Sequence, residues 1–88
     1  MGNTMSSMEQ IKDVLDSVLG LNGRSASFDA STPLLGNIPE LDSMAVVTVI
    51  TTLEEQFGIM VDDDEISAET FETLGSLTEF VDRKLAEG

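Results

Sequence analysis

The sequence contains no cysteine and no histidine. Without cysteine there is no disulfide framework and no thiolate metal site, and without histidine the usual general base and the commonest metal ligand are both missing. We therefore predict that the chain is not an enzyme with an active site of its own, and we predict no metal centre.

Cations are also scarce: the 88 residues include only four Lys and Arg, against 17 Asp and Glu, which gives a formal net charge of -13. A nucleic-acid-binding protein neutralises phosphates with clustered Lys and Arg side chains. The four cations of this chain are too few and too scattered to form a basic stripe; they are Lys12, Arg24, Arg83 and Lys84. The composition predicts no nucleic-acid partner.

Long hydrophobic runs are absent as well, although 41% of the residues are hydrophobic. That content exceeds the level typical of an acidic disordered tail, and none of the apolar runs is long enough to span a bilayer. Residues 1–6 lack the cationic and apolar regions of a secretory signal. We expect a cytoplasmic monomer with no membrane insertion, in which a single folded domain at 6–86 lies between flexible ends at 1–5 and 87–88.

Apolar residues recur at helical spacing near the start of the chain and predict a first helix from Ser7 to Leu19. Glu9 and Gln10 each follow a serine by three positions, as in a capping box. The next twenty or so residues, rich in Gly, Ser and Pro, predict a long loop. We expect that loop to be held to the core by its apolar residues, which are Phe28, Leu34, Leu35, Ile38 and Leu41.

The helical period returns at Asp42 and ends at Gly58, which predicts a second helix with a core-facing stripe. A short helix is expected at 66–71 and a last helix from Thr73, with Phe80 on its flank. Met60 is expected to fill space in the core. The predicted fold is all-α: a bundle of three amphipathic helices plus one short helix, with a long first loop. The predicted core stripes of the last two long helices contain Val46, Val49, Ile50, Leu53, Phe57, Leu74, Leu77, Val81 and Leu85.

The acidic run at 62–65 superficially resembles a calcium-binding loop. An EF-hand loop that began at Asp62 would need an oxygen ligand at its fifth position and glycine at its sixth, where Ile66 and Ser67 stand. We interpret the run as a solvated charge cluster.

A short motif, Leu41-Asp42-Ser43-Met44, lies where the long loop meets the second helix. Asp and Ser are preferred N-cap residues, so the motif alone indicates a structural cap. In an acidic chain of this length, with this helix and loop order and with Leu34-Leu35-Gly36 in the loop, the motif resembles that of the acyl or peptidyl carrier proteins.

The resemblance implies a function for Ser43 and for the whole chain. In that family a phosphopantetheinyl transferase attaches the 4'-phosphopantetheine arm of coenzyme A to the motif serine, here Ser43, which follows the motif acid Asp42. Met44 replaces the usual leucine, and Glu40-Leu41 replaces a small residue upstream. The implied protein is a carrier that presents acyl or aminoacyl thioesters. Its implied partners are the transferase, a loading enzyme and downstream acyltransferases or synthases. The alternative is an unmodified acidic helical interaction module.

One face of the second helix is predicted to contact partners, because this helix is the main docking surface of such carriers. Met44, Val47, Thr51 and Glu54 share a face about 80° wide beside the core stripe. We expect Met44 and Val47 to supply apolar contacts, and Glu54 with Glu55 to meet a cationic patch.

The pathway is indicated by the neutral character of the second helix and by the resemblance of two short segments. Carriers of fatty acid synthesis are dense in acids there, whereas residues 44–52 are uncharged. The segments 40–47 and 61–66 resemble free-standing carriers encoded beside bacterial exopolysaccharide and exosortase-type loci, and secondarily carriers of polyketide or nonribosomal peptide systems.

Overall fold

The computed structural model describes residues 7–87, except for the side chain of Asp63. Three helices make up most of this region: α1 (Ser7–Leu19), α2 (Ser43–Phe57) and α3 (Leu74–Glu87). Two 3₁₀ turns, Arg24–Ser27 and Asp63–Glu65, lie in the connections. The expected flexible end at 1–5 and the capping role of Ser6 fall outside the described residues, as does Gly88. Glu87, expected in a flexible end, is helical.

The core lies between the three helices, and α1 packs against both α2 and α3. The predicted all-α bundle is confirmed. Each helix contributes an apolar stripe at the spacing seen in the sequence, and hydrophobic burial of these stripes holds the bundle together. The buried helical side chains are Ile11, Val14, Leu15, Leu19, Val49, Ile50, Leu53, Leu74, Leu77, Phe80 and Val81.

The long loop between α1 and α2 is held to the beginning of α3 by backbone hydrogen bonds. Leu34 N–H donates to the Glu72 carbonyl at 3.1 Å, and Gly75 N–H donates to the Ala30 carbonyl at 2.8 Å. A Cβ at position 75 would stand 2.7 Å from that carbonyl oxygen, so the close approach requires glycine there. An isolated antiparallel bridge joins Pro33 to Thr73.

Leu34, Ile38 and Leu41 are buried as predicted and fix the loop to the core from within. The prediction was wrong for Leu35, which is 38% exposed. Leu34 and Leu35 both donate backbone hydrogen bonds to the 71–72 segment, but the chain turns at Leu35 and only Leu34 faces the core.

Three more expectations about burial need correction. Met60 is 82% exposed rather than core filler, because it follows the helix end at Gly58 and points away from the bundle. Leu85 is 39% exposed because it lies in the last turn of α3. Phe80, placed on the flank of the last helix, is buried.

The connection between α2 and α3 differs from the predicted short helix at 66–71. The structure places a 3₁₀ turn earlier, at Asp63–Glu65, and follows it with hydrogen-bonded turns in which Thr70 N–H donates to the Ser67 carbonyl at 3.1 Å. Glu65 explains the earlier start: its carboxylate accepts from Asp62 N–H and from Lys84 Nζ, each at 3.0 Å. These two bonds lower the pKa of Glu65, the Asp62 bond most strongly.

No helix in the region 7–87 combines the length and the apolar character needed to cross a membrane. Within the same region no group of three or more acidic side chains is arranged to hold a metal ion.

Candidate functional site

Ser43 is the first residue of α2, and its side chain is exposed. Asp42 is the N-cap and has an extended backbone, with φ -107° and ψ -173°. Its Oδ1 accepts a hydrogen bond from Ala45 N–H at 2.9 Å, and its carbonyl accepts one from Val46 N–H at 2.9 Å. Asp42 therefore starts the helix, and Ser43 is presented to solvent at a fixed point of the backbone.

The chain that leads to Ser43 is tied to the core. Leu41 is buried and its N–H donates to the Ile38 carbonyl at 3.0 Å, while Ile38 N–H donates to the Leu34 carbonyl at 3.1 Å. Buried leucine and isoleucine side chains in a tight series of turns leave little freedom to the residues that follow them. Ser43 is consequently held by the core although it lies at the surface.

An ion pair stands just upstream of the motif. Arg24 Nη2 lies 2.6 Å from Glu40 Oε2 and joins the 3₁₀ turn after α1 to the segment before Asp42. The pKa of Glu40 is lowered, first by a hydrogen bond from its own backbone N–H and then by Arg24. Both side chains are exposed, so water and salt screen the pair and it contributes little to stability.

The first turn of α2 has the electrostatics of an anion site. Its Ser43 and Met44 N–H groups have no acceptor within the helix, because the first N–H groups of an α-helix never do. The positive end of the helix dipole lies at the same place. A phosphate bonded to the Ser43 hydroxyl would meet these N–H groups, so the residues present fit a phosphate-linked group.

An open, mostly apolar cleft of about 340 Å³ adjoins Ser43. It runs between the start of α2 and the 66–71 segment, and Leu35 forms one edge. Apart from Ser43, the lining residues were not predicted to belong to the site; the sequence signal for them was a second leucine, Leu35, directly after Leu34 in the loop. The lining residues are Leu35, Ser43, Val46, Ile66, Ser67, Ala68 and Phe71.

A larger cleft of about 590 Å³ lies between the 65–72 segment and α3. Four glutamates line it, and neither Ser43 nor any residue of α2 does. Since it shares no residue with the motif, we assign the site to the smaller cleft.

The residues predicted to contact partners do not all share one environment. Met44 is 78% exposed and Val47 is 61% exposed, and Thr51 and Glu55 are exposed as well. Glu54 is half-buried, and its Oε2 accepts a hydrogen bond from Val61 N–H at 2.8 Å. The structure therefore brings four of the five to the surface and ties Glu54 to the loop after α2.

Comparison with known proteins identifies a matching family model and a similar solved structure. The family model described as the phosphopantetheine attachment site matches residues 9–81. The solution NMR structure of a holo acyl carrier protein from Nitrosomonas europaea is 61% identical in sequence to this chain and superposes with a TM-score of 0.87. The match covers 93% of this chain and 99% of that one.

Proposed function

The chain belongs to the acyl carrier family of phosphopantetheine-binding proteins, and on that premise we propose that Ser43 is the residue that bears the arm. The family consists of carriers rather than enzymes, and the protein tethers acyl intermediates on covalently attached 4'-phosphopantetheine. When bound, the arm supplies the terminal thiol that holds an acyl group as a thioester.

The observation that carries the assignment is the exposed Ser43 hydroxyl at the first residue of a 15-residue helix, next to the capping carboxylate of Asp42. The hydroxyl is accessible to another enzyme, while its backbone is fixed by the cap and by the buried Leu41. The N–H groups of the first turn stabilise a phosphodiester there. The adjacent apolar cleft can bury the uncharged part of a group that is attached to Ser43.

Attachment is a phosphoryl transfer catalysed by a separate phosphopantetheinyl transferase. The Ser43 Oγ forms a bond to a phosphorus of the coenzyme A diphosphate, and the bond from that phosphorus to adenosine 3',5'-bisphosphate breaks. The hydroxyl proton passes to a base of the transferase. The carrier itself contributes position and electrostatics, which agrees with a sequence that has no histidine.

Asp42 has a structural role in this proposal. Its carboxylate is bonded to Ala45 N–H, so it sets the direction in which Ser43 leaves the loop. Its negative charge opposes an anion on Ser43, whereas the uncapped N–H groups favour one.

The proposal extends to the setting in which the carrier works. We place it in the cytoplasm as a monomer that meets a transferase, an acyl- or aminoacyl-loading enzyme and downstream acyltransferases or synthases. The uncharged start of α2 supports a carrier of the exopolysaccharide- or exosortase-linked type over an acid-rich carrier of fatty acid synthesis. Polyketide and nonribosomal peptide systems are the second choice, on the same feature.

Intact-mass measurement tests the attachment. Incubation with coenzyme A, Mg²⁺ and a broad-specificity phosphopantetheinyl transferase should add the mass of one 4'-phosphopantetheine. Ser43→Ala should abolish the gain, while Ser17→Ala, which removes an exposed serine of α1, should leave it intact. If the Ser43→Ala variant still gains mass, another residue is the attachment site. If the parent protein gains no mass with any transferase, the unmodified interaction module is favoured.

A further inference from the structure

We infer that Asn22 is a site of spontaneous deamidation, which the Asp16 carboxylate suppresses in the folded chain. Asn22 and Gly23 form the tip of the turn after α1, and both are exposed. The inference does not depend on attachment at Ser43, because the modified atoms belong to a different segment of the chain.

Deamidation of an asparagine is an intramolecular reaction with the next residue. The Gly23 nitrogen gives its proton to a base in the solvent and forms a bond to Cγ of Asn22. The bond from that carbon to the side-chain nitrogen breaks, and the nitrogen takes up a proton and leaves as ammonia. Water then opens the five-membered succinimide and gives aspartate or isoaspartate at position 22. Glycine has no side chain to hinder the closing ring, so an Asn-Gly pair is an especially reactive sequence.

The turn holds the two reacting atoms apart. Arg24 N–H donates to the Leu21 carbonyl at 3.2 Å, and the two central residues have positive φ, 55° at Asn22 and 89° at Gly23. These are the features of a type I′ turn, in which ψ of the first central residue is about +30°. At that ψ, Cβ of Asn22 and the Gly23 nitrogen lie nearly opposite each other about the Cα–C bond, whereas ring closure needs them nearly eclipsed. The turn must therefore open before Asn22 can react.

Asp16 binds the nucleophilic nitrogen itself. Gly23 N–H donates to Asp16 Oδ2 at 2.9 Å and to Oδ1 at 3.2 Å. The hydroxyl of Ser25, a buried residue, donates to the same Oδ2 at 2.8 Å and so fixes the carboxylate from the core side. The bond from Ser25 and then that from Gly23 lower the pKa of Asp16, so the group is ionised at neutral and alkaline pH, where deamidation proceeds. A deprotonated Gly23 nitrogen would stand against a full negative charge, which raises the free energy of the reactive form.

The backbone of the turn favours the reactive pair. Among residues 7–87, Asn22 is the only residue other than glycine with a positive φ. Asparagine tolerates this conformation better than most residues, and glycine adopts it without strain. Leu21, at the start of the turn, is 1% exposed, so the turn cannot shift as a whole. The conformation thus selects a chemically reactive sequence, and Asp16 is the neighbour that keeps it unreactive.

Reaction at Asn22 would change the turn in two ways. Aspartate adds a negative charge next to the residue that binds Asp16, and isoaspartate adds one carbon atom to the backbone before Gly23. A two-residue turn cannot absorb the longer backbone without losing its closing hydrogen bond. Arg24, which pairs with Glu40 upstream of the motif, would then be displaced.

Peptide mapping measures the reaction at this one position. The folded protein is incubated at mildly alkaline pH, and trypsin cleavage after Lys12 and Arg24 then releases peptide 13–24, in which Asn22 is the only asparagine. Its mass increases when the amide becomes a carboxylate, and chromatography separates aspartate from isoaspartate. The parent protein kept unfolded in urea during the incubation gives the rate without protection.

Four variants separate the effect of Asp16 from those of charge and of global stability. Asp16→Ala removes the acceptor of Gly23 N–H, and Ser25→Ala removes the bond that fixes the acceptor. Asp13→Ala is the charge-matched control on an exposed site of α1. Leu77→Ala, in the core face of α3, weakens the whole fold and leaves the turn intact. The urea midpoint of each variant reports its stability.

We expect Asp16→Ala to deamidate at least about tenfold faster than the folded parent, because two charge-assisted contacts are lost. Ser25→Ala should lie between these two rates and keeps the inference testable if Asp16→Ala does not fold. Asp13→Ala should stay within about twofold of the parent, since a distant exposed charge acts weakly through solvent. Equal acceleration by Asp16→Ala and Leu77→Ala at similar urea midpoints would overturn the inference, as would equal rates for the folded and the unfolded parent.

Discussion

At the scale of single residues, Leu34 and Leu35 show how far one position along the chain can change a side chain's role. Leu34 is fully buried and Leu35 is 38% exposed, although both belong to the same hydrogen-bonded segment. Leu34 contributes to the core that holds the loop, and Leu35 contributes to the wall of the cleft beside Ser43.

We expect Leu34→Ala to lower the free energy of unfolding by about 2–5 kcal/mol, because it leaves a cavity in a packed core. Leu35→Ala should cost less than about 1 kcal/mol, since much of its side chain is already in water. Urea unfolding followed by circular dichroism measures both. Equal losses for the two variants would contradict the assignment of Leu34 to the core and Leu35 to the cleft.

At the scale of elements, the turn after α1 is fastened by a carboxylate. Asp16 Oδ2 accepts from Gly23 N–H at 2.9 Å and from the Ser25 hydroxyl at 2.8 Å. These bonds, the one from Ser25 foremost, hold the pKa of Asp16 below its ordinary value of 3.8. A single side chain of α1 thus sets the course of the chain into the long loop.

This contact makes a pH-dependent contribution to stability. Because the pKa of Asp16 is lower in the folded than in the unfolded chain, its contribution is complete above the unfolded value and is lost as pH falls through the folded value. Asp16→Asn should therefore reduce the free energy of unfolding more at about pH 6 than at about pH 3. Asp13→Asn, which makes the same charge change on an exposed site of α1, is the control. Parallel losses at both pH values for Asp16→Asn would show that the carboxylate charge is not involved.

Helix bounds were well predicted from the sequence, because strong local signals mark them. Asp42 and Gly58 cap α2 where residue preferences place them, and α1 begins at Ser7 as expected. Gly58 has the left-handed backbone, with φ 67°, that a helix end favours. The all-α fold follows from three stripes at a helical period.

The features that sequence analysis missed depend on contacts between distant segments. The turn at 63–65 depends on Lys84, which lies in α3. Helical spacing gives the face on which Glu54 lies but not the hydrogen bond that its carboxylate accepts from Val61 N–H. The cleft beside Ser43 is formed by three separate segments of the chain, so no local sequence pattern predicts it.

At the scale of the whole molecule, the net charge of -13 is confined to a body measuring 33 × 32 × 21 Å. The Debye length is about 30 Å at 0.01 M ionic strength and about 8 Å at 0.15 M. At the lower ionic strength every charge therefore acts on nearly every other charge, and the repulsion between carboxylates lowers the stability of the folded state.

Thermal stability should accordingly rise as sodium chloride is raised from about 10 mM to about 150 mM. A gain of about 1 kcal/mol would raise Tm by about 4–8 °C for a chain of this size. Differential scanning calorimetry measures the change, and tetramethylammonium chloride at equal ionic strength separates screening from binding of a particular cation. A constant or falling Tm would mean that the carboxylates are compensated locally.

The backbone bonds between the long loop and the beginning of α3 have a consequence for protein engineering. Connections of this length are ordinarily the places where a chain accepts a foreign insert or new termini. Here the N–H groups of Leu34 and Gly75 donate backbone hydrogen bonds that join the loop to the beginning of α3. An insert within residues 30–35 would separate the loop from α3 and break these bonds. A reporter domain would disturb α3 as much as the loop itself. The stretch that looks most dispensable in the sequence is thus a poor site for a fusion.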